Sequence, residues 1–213
     1  SYTTKAINYT RNFSDTLIRI IDKPISYNDE RKKLSIEYLK NRHGIVQNTP
    51  NIEPIMIVLH YTGSGTVNSI HNYFNQTKIE GGRKLNKNQS ELNVSAHYVV
   101  DRDGTIYRLV PENMFCRHTI GLNYCSIGVE NIGGKNQPLT EKQIIANSNL
   151  IRYLCKRYNI QYVIGHSEYL SFKNTKFWKE SNSNYITHKE DPGDIFLMKV
   201  RKNISDLSIK YKP

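Results

Sequence analysis

Two of the seven histidines in this 213-residue chain stand where a fold presents reactive groups. His60 ends the apolar run Ile55-Met56-Ile57-Val58-Leu59, which fits a strand buried on both faces. His166 ends a second short strand, Tyr162 to Gly165. Strand ends along one edge of an α/β sheet are where sites form. Two imidazoles on rigid strands plus one carboxylate would give a zinc ion three protein ligands. The fourth position would stay open for water, the catalytic rather than the structural arrangement. Asp191 is the best carboxylate candidate, because Pro192-Gly193 fixes a turn directly behind it. On spacing alone, His188, His97 and His118 compete as ligands. A lone histidine at a strand end more often marks where the strand leaves the core, so the reading rests on the pair.

These groups need elements to hold them. Residues 1 to about 27 are polar apart from Leu17, Ile18, Ile20 and Ile21, and read as an arm packed on the domain. Asn28 caps a helix with Asp29 and Glu30 in its first turn, an apolar stripe of Leu34, Tyr38 and Leu39, and a stop at Gly44. Residues 1–49 are therefore an N-terminal arm and helix, and residues 50–213 the main domain. Thr66 caps a second helix with Val67, Ile70, Tyr73 and Phe74 on one side, and residues 78–93 read as an exposed loop. Val94–Val100 and Thr105–Val110 flank Asp101-Arg102-Asp103-Gly104, a hairpin signal. A loop carrying His118 leads to a strand over Ser126–Ile132. Thr140 and Gln143 make a capping box for a helix to about Tyr158, and a helix with Phe196, Val200 and Ile204 in register closes the chain. The interleaving defines an α/β single domain with a central mixed β-sheet flanked by helices.

The net charge of +11 is spread along the chain, with no Arg-rich helix and no nucleic-acid module, so nucleic acid is not the expected partner. A scattered positive surface also suits an anionic polymer such as a bacterial cell wall. No apolar run reaches membrane-spanning length. A chain starting at Ser1 rather than Met fits an exported protein whose leader has been removed, which points to the cell envelope. Cys116 and Cys125 would close a short loop in an oxidising compartment, and Cys155 reads as a buried helix thiol.

Five ordered motifs carry a family resemblance: His60-Tyr61-Thr62; Val94-Ser95-Ala96-His97-Tyr98 with Asp103-Gly104; Ser126-Ile127-Gly128-Val129-Glu130; Gly165-His166-Ser167; and Lys189-Glu190-Asp191-Pro192-Gly193. Over about residues 50 to 205 the chain resembles the zinc-dependent N-acetylmuramoyl-L-alanine amidases, whose fold is shared by phage amidase lysozymes, anhydro-muropeptide amidases and peptidoglycan recognition proteins. The resemblance implies a peptidoglycan recognition protein-like fold, a Zn2+ cofactor held by His60, His166 and Asp191, and peptidoglycan or muropeptides as substrate. It implies Glu130 as the proton-transferring group beside the water nucleophile and Lys189 as an oxyanion stabiliser. It also implies His118 in the substrate groove. Tyr61 lines the same groove or packs against the strand, and His97 belongs with the substrate-binding residues, supports the site or packs in the core. A monomer is the expected state.

Two features depart from the simplest relatives. The stretch between His166 and Asp191 is long and aromatic, with Phe172, Phe177, Trp178 and Tyr185, and either walls the groove and narrows the choice of muropeptide or forms a surface cover with its own small core. Its length leaves His188 as an alternative third ligand. The resemblance also gives residues 1 to about 49 no role. The rival reading from another class is a non-catalytic peptidoglycan-binding recognition module.

Overall fold

The computed structural model describes residues 18–79 and 90–213 in full and the backbone of residues 4–6. In chain order the elements are β1 (Thr4–Ala6), β2 (Arg19–Asp22), α1 (Asp29–His43), β3 (Met56–Tyr61), α2 (Val67–Asn75), β4 (Tyr98–Val100) and β5 (Ile106–Arg108). They continue with β6 (Ser126–Asn131), α3 (Glu141–Arg157), β7 (Tyr162–Gly165) and α4 (Asp194–Asn203). Short 3-10 turns cover Asn123–Cys125 and His166–Phe172. Among the described residues the strands form one mixed sheet in the order β1-β2-β5-β4-β6-β3-β7. Strand β3 lies between β6 and β7 and parallel to both, and β6 is parallel to β4, whereas β4 and β5 form the antiparallel hairpin.

The sheet is buried on both faces, as the unbroken apolar run of β3 requires. Ile57 and Leu59 point one way, into a core with Ile127, Val129, Leu150, Leu154, Phe196 and Val200 beneath α3 and α4. Met56 and Val58 point the other way, against Leu122, Ile164, Tyr169 and Phe172. By the same alternation His60 continues the second face. Full burial of each such aliphatic side chain stabilises the fold by about 1.5–3 kcal/mol.

The caps follow the sequence signals. Asn28 Oδ1 accepts from the Arg31 N–H at 2.9 Å, and Gly44 ends α1 with φ +67°. Thr140 and Gln143 bond each other's backbone N–H groups at 3.1 and 2.9 Å, closing the capping box of α3. Gly104 takes φ +85° in the hairpin turn and donates to the Asp101 carbonyl at 2.9 Å.

Several expectations change. Of the N-terminal apolar cluster, Ile20 and Ile21 belong to a strand of the sheet and not to an overlying arm, while Leu17 lies outside the described residues: β2 runs parallel to β5, and Ile18 and Ile20 lie in the main core. Its β-branched residues had an unpaired strand edge to complete. The hairpin strands are shorter than expected, since Ser95 N–H bonds the Arg117 carbonyl (3.0 Å), outside the ladder. Tyr73 is exposed and leaves Val67 and Phe74 as the buried side of α2. Of the 78–93 loop, residues 80–89 fall outside the described residues, while Leu92 and Asn93 at its end are buried. Cys116 and Cys125 are free and both buried, so no short loop is closed; Cys155 is half-buried. The stretch after His166 does carry its own aromatic packing. Tyr169 and Phe172 are fully buried, and Phe172 meets the rings of Tyr162 and Phe177 at 5.1 and 6.1 Å.

Candidate metal centre

Three segments deliver three donors to one point at the C-terminal edge of the sheet. His60 closes β3, His166 follows β7, and Asp191 precedes α4. His60 Nδ1 lies 3.0 Å from His166 Nδ1, and each lies 3.2 Å from Asp191 Oδ2. All three residues are buried. His188, the alternative third ligand, is exposed and lies outside this group.

No arrangement of ring protons makes all three contacts attractive. Protons on both Nδ1 atoms oppose each other across 3.0 Å, and a single shared proton leaves the other imidazole lone pair facing the carboxylate. One cation at the centre satisfies all three donors, and two imidazoles with one carboxylate suit zinc. The local electrostatics agree with that demand for positive charge. Burial opposes protonation of His60, but its hydrogen bond to Asp191 and the charges of Glu130 and Asp191 prevail and raise its pKa. Burial and the neighbouring His60 lower His166 to about 4. Burial works against ionisation of Asp191, yet its bonds to His166 and His60 hold it well below the usual carboxylate range.

Each ligand is fixed through its backbone. The Asn131 amide donates to the His60 carbonyl at 3.1 Å and pairs with Asn147, whose own amide returns a 2.7 Å bond. Gln143, one turn earlier on α3, donates to the carbonyls of Val100 and Ile132. Glu168 accepts from the Gly165 N–H at 2.8 Å and takes a bidentate bond from Arg201 of α4, which holds the turn carrying His166. The Ser167 N–H donates to the Asp191 carbonyl at 2.9 Å, so the two segments that bring His166 and Asp191 are bonded to each other. These supports went unread in the sequence. Their signal was polar Gln143 and Asn147, four apart on the buried side of α3, where an apolar stripe would hold leucines.

The other candidate residues divide. Glu130 stands beside His60 in the β3–β6 register, on the same sheet face. Its Oε2 is buried with no hydrogen-bond partner among the described residues, and burial raises its pKa to about 7 despite the opposing charge of His60. Lys189 is exposed and lines a cavity of about 310 Å3 together with His118, His166 and Tyr185. Tyr61, half-buried at the end of β3, borders a different hollow of about 340 Å3 with Leu139, Pro192 and Ile195. His118 is half-buried, and its Nδ1 lies 3.0 Å from His60 Nε2. Burial and the neighbouring His60 and His97 push its pKa well below the usual value.

His97 cannot serve as a substrate contact. It is fully buried, its Nε2–H donates to the Met114 carbonyl (2.7 Å), and its Nδ1 accepts from the Gly128 N–H (3.0 Å). Both ring nitrogens are spent on the backbone, and burial lowers its pKa to about 4.

The family model described as N-acetylmuramoyl-L-alanine amidase matches residues 25–194, and the chain belongs to that family. Among solved structures, the N-acetylmuramoyl-L-alanine amidase LysC from Clostridium intestinale URNW is 24% identical with a TM-score of 0.52, covering 76% of this chain and 90% of that one. The endolysin amidase LysCS from the same organism is 25% identical with a TM-score of 0.51, covering 75% and 87%. A selenomethionine derivative of AmpD is 24% identical with a TM-score of 0.50, covering 71% and 84%. The comparison with curated proteins gives no match. Among the described residues, no helix is long and apolar enough to cross a membrane.

Proposed function

We propose that this chain is a zinc-dependent amidase that hydrolyses the bond between the lactyl group of N-acetylmuramic acid and L-alanine of the peptidoglycan stem peptide. The observation that carries the reading is the buried triangle of His60, His166 and Asp191 with the unpartnered Glu130 carboxyl beside it, in a chain of the amidase family. His60, His166 and Asp191 would hold the zinc, which when bound supplies a Lewis acid that makes water nucleophilic near neutral pH. Glu130, with a pKa near that of the medium, accepts the proton of the attacking water and delivers it to the departing alanine nitrogen. Lys189, on the rim of the cavity that reaches His166, offers positive charge to the oxyanion of the tetrahedral intermediate. The aromatic wall at Tyr185 is rigid: the Arg42 guanidinium stacks 4.6 Å from its ring centre, and Arg117 donates to its hydroxyl at 3.2 Å. Such a wall excludes water from one side of the groove and orients a bound chain. On this reading the site of action is the cell envelope.

The test is product analysis. Intact wall and purified muropeptides are each incubated with the protein, and mass spectrometry reads for stem peptides released with a free alanine amino terminus. Release that a chelator abolishes and zinc restores is the expected result. Undiminished release after metal stripping would sink the zinc reading, and no release from either substrate would sink the amidase reading. A non-catalytic peptidoglycan-binding module has no need of the full ligand set, and the zinc content of the purified protein separates it from the enzyme.

A further inference from the structure

His118 entered as a residue of the substrate groove, but its contacts point inward. Its Nε2 faces two oxygens of Ser126, the carbonyl and Oγ, both at 3.3 Å. The Ser126 hydroxyl has already given its proton to the Leu122 carbonyl at 2.7 Å, so both oxygens can only accept. The ring proton of His118 therefore sits on Nε2, and Nδ1 is left as an acceptor. That Nδ1 lies 3.0 Å from His60 Nε2, and Thr119 Oγ1, 2.9 Å away, shares the same acceptor. The two imidazoles are perpendicular, at 87°, with centroids 5.1 Å apart, the separation of rings that meet end to end through those nitrogens. The ring lies flat over β6 where Gly128 has no side chain; a Cβ there would come within 2.7 Å of His118 Cγ. Asn123 Oδ1 holds the main chain beside it, accepting from the N–H groups of His118 and Thr119, both at 2.7 Å.

We infer that His118 is a positioning residue for the metal centre: it accepts the Nε2–H of His60, fixes that tautomer, and so aims the bare Nδ1 lone pair of His60 at His166 and Asp191. The inference rests on the reading of the triangle as a metal site. It adds that the tautomer of one ligand is chosen by a chain running from Leu122 O through Ser126 and His118. A ligand imidazole whose second nitrogen is so held is a better and more rigid donor, and loss of such a partner typically costs about 10- to 100-fold in metal affinity.

The experiment measures zinc dissociation constants by competition with a chromophoric chelator, alongside kcat and KM on a muropeptide, for the wild-type chain, His118→Ala and His118→Asn. The Asn side chain carries an amide oxygen at the place of Nδ1. The expected result is about 10- to 100-fold weaker zinc binding in the alanine variant, substantial recovery in the asparagine variant, and a KM that changes little once zinc is saturating. Wild-type zinc affinity in His118→Ala with a raised KM would return His118 to the substrate groove and overturn the inference. Equal losses in both variants would assign the effect to packing over Gly128 and overturn it as well. Should the alanine variant fail to fold, the asparagine variant alone decides, since it keeps the acceptor or loses zinc. A wild-type chain that binds no zinc would instead remove the reading of the triangle itself.

Discussion

His60 and His97 lie two strands apart, are almost equally buried, and behave in opposite ways. His97 spends both nitrogens on backbone groups and is held neutral, with a pKa of about 4. His60 faces two carboxylates and two other imidazoles, and its pKa is raised against the same burial. His43 is held neutral as His97 is, although its Nε2 is buried with no hydrogen-bond partner among the described residues. It is buried among Tyr38, Phe115 and Tyr124, its Nδ1–H donates to the Lys179 carbonyl, and its pKa falls to about 4. Burial alone therefore does not mark a functional histidine; the charge of its partners does. A histidine satisfied by amides and carbonyls adds to the scaffold, whereas one crowded by acceptors it cannot all satisfy is a place for a cation.

The sharpest way to break this contrast is to delete one member of each kind. His60→Ala should abolish stoichiometric zinc binding and lower amide hydrolysis by roughly a thousandfold or more, with little change in the urea unfolding midpoint of the metal-free protein. Zinc by elemental analysis and product release read the two effects; a metal-loaded, active variant would erase the distinction. Glu130→Gln should come next, lowering kcat about 100- to 10,000-fold while zinc stays bound, because the amide keeps the shape but accepts no proton. If kcat survives, proton transfer belongs to another group.

His97→Ala should do the reverse, leaving the chemistry in whatever fraction folds and costing about 3–5 kcal/mol of stability. It opens a cavity and strands the Met114 carbonyl and the Gly128 N–H in the core. Urea denaturation measures the loss. A stable variant with weakened zinc binding would put His97 in the site after all.

The strands that carry His60 and His166 were legible because buried parallel strands write themselves as unbroken apolar runs, and polar residues end them. The caps at Asn28 and Thr140 were legible because capping is local, within three residues of chain. What eluded the sequence was contact between distant segments. Nothing in spacing separates His188 from Asp191 as the residue that meets the strand ends; the fold decides, by leaving His188 in solvent and bonding the Asp191 carbonyl to Ser167. The place of His97 stayed open between site and core for the same reason, since its two backbone partners lie 17 and 31 residues away. The strand β2 was hidden because its four residues pair with β5 across more than eighty intervening positions.

The smallest effect sharpens the contrast through pH. His43 and His97 have folded pKa values of about 4, below the ordinary 6.5 of an exposed imidazole. Between those values the unfolded chain binds protons that the folded chain refuses, so the stability they contribute is complete above about pH 6.5 and drains away as the pH falls towards about 4. Each should cost roughly 1 kcal/mol between about pH 7 and pH 5.5. His43→Phe fits the ring cluster of Tyr38, Phe115 and Tyr124 and cannot titrate. Thermal or urea unfolding at the two pH values, with equal zinc throughout, should give this variant a pH slope shallower than that of the wild-type chain by one histidine's contribution. An unchanged slope would mean that His43 titrates alike in the folded and the unfolded chain, and with it would fall the placing of His43 beside His97.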